Sequence, residues 1–296
     1  MFTPFLVSNA HFVGVNELKC NVAMRISNAQ RCNNWQTKYR NSQNSNHLVR
    51  NNRQQYTKNS AVTFNLREKY NSIIPLIIYT AWHTKELLPK MKENYERLLT
   101  DNPEFEVKLF DNNDCLEFIK NNFSDEILKA YNSLIPQSYK SDLWRYCVMY
   151  LNGGIYIDIK FKCVNGFKLI ALTEKEYWTS DHLFNNTLNG LLILQPKNEI
   201  MLKSINKIVE NVKNKFYGNN DLHPTGPQLL GEYFTSKEKH DMETNLLVTS
   251  NKLIGITYKH NYILDYYSEY RDEQEKQNPN SHYNILWNNK NIYNKI

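Results

Sequence analysis

Asp142, Arg145, Asp158 and Lys160 fall in one stretch, SDLWRYCVMYLNGGIYIDIK, residues 141–160. An aspartate at the end of an apolar run offers two oxygens to a hard divalent cation or to sugar and ribose hydroxyls. Arginine presents a planar fork to phosphate or carboxylate, and lysine a compact point charge. A diphosphate needs positive charge when it leaves, and a carboxylate-held Mn2+ or Mg2+ can supply it as a Lewis acid.

These side chains need particular elements behind them. Residues 138–152 carry a helical pattern in which Trp144, Cys147, Val148 and Leu151 share an apolar stripe. Asp142, Arg145 and Met149, at i, i+3 and i+7, share the opposite face. Ser138 or Ser141 can cap the start, and Asn152-Gly153 supplies a left-handed stop. The paired glycines let the backbone turn into the short strand GIYI, so that Asp158 emerges at its end with Tyr156 two residues earlier on the same face. Around this block, IIPLIIYTAW and FEVKLFD read as strands, and residues 84–102, 112–123 and 124–134 as helices. Farther on, GLLILQP reads as a buried strand, EIMLKSINKIVENVKNKF as an amphipathic helix and HPTGPQLLGEYF as a loop entering a helix. Strands alternating with helices predict an α/β fold whose mostly parallel central sheet is covered by helices on both faces. In such sheets ligands collect beyond the carboxyl ends of the strands.

The block SDLWRYCVMYLNGGIYIDIK resembles the DXD-containing sugar-binding region of glycosyltransferase family 32, whose relatives include yeast Golgi initiating mannosyltransferases and the glucosyltransferase domains of large bacterial toxins. IPLIIYTAWHTKELLP is similar to that family's opening strand and its histidine/glutamine–tryptophan motif, and TGPQLL to its Thr-Gly-Pro segment. Together these span residues 74–230. The resemblance implies a GT-A fold and a nucleotide diphosphate sugar as donor. It also implies transfer of a hexose, with retention of anomeric configuration, to an acceptor that the residues do not identify. Position by position, it implies Trp82 near the base, Asp142 and Arg145 on donor hydroxyls or phosphate, and Gly154 and Tyr156 beside the donor. Asp158 would be the first acid of the DXD motif, and Thr225 and Gly226 would lie on the acceptor side. Trp287 would donate its indole N–H to phosphate from a closing C-terminal lid. Each of the aromatics Trp82, Tyr156 and Trp287 has a plainer alternative as a core side chain. Retaining transfer rests on positioning and charge, so the absence of an obvious general base is tolerable.

The motif departs from the family where its second acid would stand, at Lys160. Three readings stay open. A metal, Mn2+ or Mg2+, is retained through Asp158 and a later group, His282 or Asp265. Alternatively, the Lys160 ammonium replaces the cation and stabilises the leaving diphosphate, which makes Lys160 catalytic together with Asp158, Asp142 and Arg145. In the third, catalysis is lost and a nucleotide-sugar binder remains.

Composition bounds the rest. The chain has 296 residues, 41% of them hydrophobic, enough for a substantial core. No apolar run approaches the roughly 20 residues of a membrane-spanning helix. No transmembrane anchor is expected, and a cytoplasmic or virus-encoded enzyme fits better than one anchored in the Golgi lumen. Residues 1–60 hold eight Lys or Arg against Glu17 alone, whereas the remainder carries 28 basic and 29 acidic residues. A near-neutral body argues against a nucleic-acid partner for the fold, while the basic tail could touch RNA, DNA or an acidic surface. Residues 30–60 are polar and lack any strand or helix period, so residues 1–60 are expected to form a basic, largely disordered tail and linker and 61–296 the glycosyltransferase domain. Five scattered cysteines without a C-x-x-C pair indicate neither a zinc ribbon nor a disulfide framework.

Overall fold

A computed structural model describes residues 70–181, 185–248, 254–277 and 282–294; the expected tail and linker, residues 1–60, lie outside them. The run IIYTA makes β1 (Ile77–Ala81) and EVKLF makes β2 (Glu106–Phe110). Between them α1 (Pro89–Asp101) begins at a proline, whose fixed φ and missing N–H suit a first turn. α2 (Asn112–Asn122) opens on a capping box between Asp111 and Asp114 and is followed by α3 (Asp125–Ser133). Then come α4 (Gln137–Asn152) and β3 (Gly154–Ile157). The central part continues with β4 (Phe161–Cys163), β5 (Tyr177–Asp181), β6 (Asn186–Leu194) and α5 (Glu199–Lys213). Two one-turn helices, α6 (Pro227–Gly231) and α7 (Ser236–His240), precede β7 (Thr244–Val248), β8 (Ile254–Tyr258) and β9 (Asn261–Tyr266). Last are α8 (Tyr270–Gln277) and α9 (Tyr283–Asn288).

The strands join in one nine-stranded sheet, in the order β2-β1-β3-β6-β5-β7-β8-β9-β4. The expected α/β class is the one found, but the expected mostly parallel sheet is corrected to a mixed one. Among the described residues, β1–β2, β1–β3 and β5–β7 pair in parallel, whereas β3–β6, β5–β6, β7–β8, β8–β9 and β4–β9 are antiparallel. The reason is connection length. Helices α1 to α4 supply the long crossovers that parallel neighbours need, while β7, β8 and β9 follow one another too closely for anything but antiparallel pairing.

Alternate residues of the central strands feed two cores. Tyr156, Leu192 and Leu194 pack with Leu143 and Val148 of α4 and Ile205 of α5. Ile155, Ile157, Leu191 and Ile193 pack on the opposite face with Leu98 of α1 and with Leu169. Each such aliphatic side chain contributes about 1.5–3 kcal/mol by burial. The sheet is thus covered on both faces, as expected.

α4 departs from the expected amphipathic helix. Asp142, Arg145 and Met149 are buried along with Trp144 and Val148, so its polar face points into protein. Neither Ser138 nor Ser141 caps it; Pro136 holds the cap position without a side-chain hydrogen bond. Its end is as expected, at Gly153 with φ +62. Among the described residues, no helix is long and apolar enough to cross a membrane.

Candidate active site

β1, β2 and β3 run in parallel, so Trp82, Asp111 and Asp158 each follow a strand end at the same edge of the sheet. β6 runs the other way and starts at that edge: Ile157 pairs with Leu191, and the Asp158 N–H donates to the Gly190 carbonyl at 2.9 Å. α4 precedes β3 and folds back on it through one tight turn, which brings its first half level with the strand's carboxyl end. Two segments close in sequence therefore deliver Asp142, Arg145, Asp158 and Lys160 to one place.

There the four charges form a continuous network. Asp142 Oδ1 accepts from Asn189 Nδ2 at 2.9 Å and lies 3.5 Å from Arg145 Nη2, while its Oδ2 accepts from the Thr225 hydroxyl at 2.7 Å. Arg145 Nη1 donates to the Asn189 carbonyl at 2.9 Å and lies 3.6 Å from Asp158 Oδ1. Its Nη2 donates to Ser141 Oγ at 3.3 Å, and the guanidinium stacks 4.5 Å over the Tyr156 ring. Asp158 Oδ1 accepts from the Tyr156 hydroxyl at 2.8 Å, and Oδ2 lies 2.7 Å from Lys160 Nζ. The Lys160 ammonium is flanked by the rings of Tyr266 at 5.1 Å and Phe161 at 5.5 Å.

The electrostatics follow from burial set against these neighbours. Burial disfavours the charged form of both aspartates. For Asp142 it prevails, raising the carboxyl above its ordinary value despite Arg145, Thr225 and Asn189. For Asp158 burial is outweighed by Lys160 and Arg145, which hold the carboxyl below the usual range. Burial likewise opposes the Lys160 charge, yet Asp158 raises that ammonium well above its ordinary value.

The expected site residues divide. Asp142, Arg145, Tyr156, Asp158, Lys160 and Thr225 meet in the network. Thr225 and the adjoining Gly226 were expected on the acceptor side, but here the Thr225 hydroxyl is spent on Asp142, and a Cβ at Gly226 would come within 3.3 Å of the same carboxylate. Tyr156 is a core tyrosine whose hydroxyl holds Asp158. Trp82 sits at the correct sheet edge but donates its indole N–H to Gln277 Oε1 at 2.7 Å and packs on His83 and Tyr270.

Gly154 is a correction: it starts β3 while Asp158 follows its end, about 13 Å away at strand rise. Its glycine is required elsewhere, because at φ +100 a Cβ would lie 2.6 Å from the Ile77 carbonyl. Trp287 is a second correction, since its indole N–H goes to the Tyr217 carbonyl at 2.6 Å and the ring docks α9 on the core. His282 is a third. Its ring caps α9 by accepting from the Asn284 N–H and stacks on Tyr283, with no contact to Asp158. Asp265 accepts from Tyr262 and pairs in register with Lys162.

Sequence reasoning missed Asn189, Gly190, Tyr146 and Ser141. Asn189 bridges Asp142 through its side chain, Tyr146 through the same amide and Arg145 through its carbonyl. Gly190 is needed for close approach: a Cβ there would lie 2.6 Å from Asp158 Oδ2. The only local signal for either was the Asn-Gly pair opening the GLLIL run.

The donor set does not fit a divalent cation. Such an ion wants several oxygen ligands at about 2.0–2.6 Å. Asp158 Oδ2 is instead closed by the Lys160 ammonium and the Gly190 backbone, and Oδ1 by Tyr156 and Arg145. Among the described residues no group of three or more His, Cys, Asp or Glu is placed to hold a metal. The charged side chains close on one another rather than around open space. Surface hollows of about 450 and 380 Å3 lie elsewhere, one beside Glu176 and Lys197 and the other beside Arg97 and Lys162.

Residues 89–178, which contain all four charged residues, match the family described as "Glycosyltransferase sugar-binding region containing DXD motif". In that region the chain is similar to glycosyltransferases. Among its relatives, "Uncharacterized glycosyltransferase L373" of Acanthamoeba polyphaga mimivirus is 26% identical over 196 residues, which is 62% of this chain and 73% of that protein. "Inositol phosphoceramide mannosyltransferase 3" of Schizosaccharomyces pombe is 29% identical over 93 residues, 31% of this chain and 26% of that protein. A solved structure, "PaToxG Glycosyltransferase", is similar over 54% of this chain and 67% of its own, with 17% identity and a TM-score of 0.43.

Proposed function

We propose that this chain, on a GT-A-type frame, transfers a hexose from a nucleotide diphosphate sugar to a hydroxyl acceptor with retention of configuration. The observation that carries the reading is the convergence of Asp142, Arg145, Asp158 and Lys160 at the carboxyl edge of β1 and β3, inside the matched sugar-binding region. Lys160 and Asp158 have the most exposed side chains of the four, 17% and 18%, so the donor meets them first. Arg145 and Lys160 supply charge to the phosphates, and Asp158 accepts from sugar or ribose hydroxyls. Asp142, buried against Arg145, acts on the donor by positioning that guanidinium. In the transfer the anomeric carbon–oxygen bond to the β-phosphate breaks, its electron pair stays on the departing oxygen, and the acceptor oxygen bonds to that carbon. The acceptor proton passes to the leaving phosphate, since both carboxylates of the cluster are engaged. Trp82 shares the donor's edge of the sheet. The mimivirus relative supports a virus-encoded enzyme.

Purified protein incubated with a panel of nucleotide diphosphate sugars tests this, with a mannose donor first because one relative is named for mannosyl transfer. Release of nucleoside diphosphate from one donor, together with an NMR-defined product anomer matching it, is the expected result. The second reading, a binder without turnover, is favoured by one observation: Asp158, the acid that a donor would use, is already paired through both oxygens. Saturable donor binding with no diphosphate release on any acceptor would establish it.

A further inference from the structure

We infer that Lys160, with Arg145, is the resident cation of this site, so that the diphosphate is bound and discharged against protein cations without a divalent metal. The inference rests on the donor proposed above and deepens it. Geometry gives the first argument. A metal on Asp158 Oδ2 would sit where Lys160 Nζ now lies, 2.7 Å from that oxygen, and the opposite side is closed by the Gly190 backbone. Charge gives the second. In a D-x-D arrangement the second acid would leave the cluster with three carboxylates against Arg145; with Lys160 it holds two carboxylates and two cations. The change is two positive charges, the same as a divalent ion would bring. Unspent donors give the third. An ammonium has three N–H groups, and among the described residues Asp158 is the one hydrogen-bond or ion-pair acceptor that Lys160 meets, while the rings of Phe161 and Tyr266 flank the ammonium. A cation held in a partly dry site with donor capacity left over, beside a second buried one, is what an incoming polyphosphate requires. As the anomeric bond breaks and its electron pair settles on the β-phosphate oxygen, the Lys160 ammonium is the nearest compact positive charge to receive it.

The test is calorimetric titration of the whole protein with UDP and GDP, once in EDTA and once with Mn2+, alongside EPR of the free Mn2+ signal. Wild type is expected to bind one of the two diphosphates with affinities that agree within about twofold in the two buffers, and to lower the Mn2+ signal no further than the nucleotide alone does. Lys160→Met, which keeps the apolar stem, is expected to weaken binding by about tenfold or more, the worth of one phosphate–ammonium contact. Lys160→Asp is expected to bind only with Mn2+ and to deplete its signal. Wild-type binding that needs Mn2+, or that removes more Mn2+ from solution than the nucleotide alone does, would overturn the inference without any variant having to fold. Binding in EDTA without turnover of any donor would support the inference while removing the transferase reading. Binding of neither diphosphate in either buffer would overturn both.

Discussion

At Asp158 a phenol and two cations share two carboxylate oxygens, and any donor must bargain with them for one. Asp142 behind it is held more tightly, with Asn189 on one oxygen and Thr225 on the other. Thr225→Val keeps the shape but leaves Asp142 Oδ2 buried without its hydroxyl donor. A loss of about 1–3 kcal/mol is expected, read as a lower urea midpoint at unchanged m-value, with Thr225→Ser restoring most of it. Were Thr225 an acceptor-loop residue instead, Thr225→Val would change transfer and spare the midpoint.

Two elements carry the site by their ends. β3 starts on Gly154, where φ is +100 and the Ile77 carbonyl fills the place of a side chain. Gly154→Ala is expected to cost about 1–3 kcal/mol from backbone strain alone, with more from the carbonyl collision, measured by thermal melting. The diphosphate affinity of the fraction that folds is expected to stay at the wild-type value, because the residue lies at the far end of the strand from Asp158. α9 is anchored by Trp287, whose N–H satisfies the Tyr217 carbonyl. Trp287→Phe is expected to lower stability by about 1 kcal/mol and to leave nucleoside diphosphate affinity unchanged in calorimetry. A weakened affinity would put the indole back on phosphate.

For the molecule as a whole, the cluster ties stability to pH. Lys160 and Arg145 hold the Asp158 carboxyl below its ordinary value. Its contribution is complete above the unfolded-chain value near about 4 and is lost as pH falls through the lower native value. Asp142, raised by burial, acts in the opposite sense: its ionisation at neutral pH opposes folding and acid relieves it. Asp158→Asn leaves Lys160 without its partner and is expected to cost about 3 kcal/mol or more at pH 7. The gap in melting temperature between wild type and Asp158→Asn is expected to shrink as pH is lowered from 7 to 3; a constant gap would show that Asp158 is not ionised in the folded protein.

Short-range patterning was enough to read the strands around IIYTA, EVKLF and GLLIL, the helices between them, and the placement of Asp158 just past a strand end, because those features depend on neighbours within a few residues. The same stretch identified the sugar-binding region. What local periodicity could not reach was the partner of each face. α4 reads as half polar, but α5 and β6 pack around it and turn Asp142 and Arg145 into the interior, where their charges are satisfied by Asn189 and Thr225, 47 and 83 residues beyond Asp142. The direction of β6, antiparallel to β3, is what places Asn189 and Gly190 against Asp158, and connection lengths outside the motif set that direction. Whether Lys160 was a bland surface lysine or a second cation in the site was likewise undecidable from spacing. The turn after β3 and the aromatic rings of β4 and β9 decided it, by folding the ammonium back onto the carboxylate two residues before it.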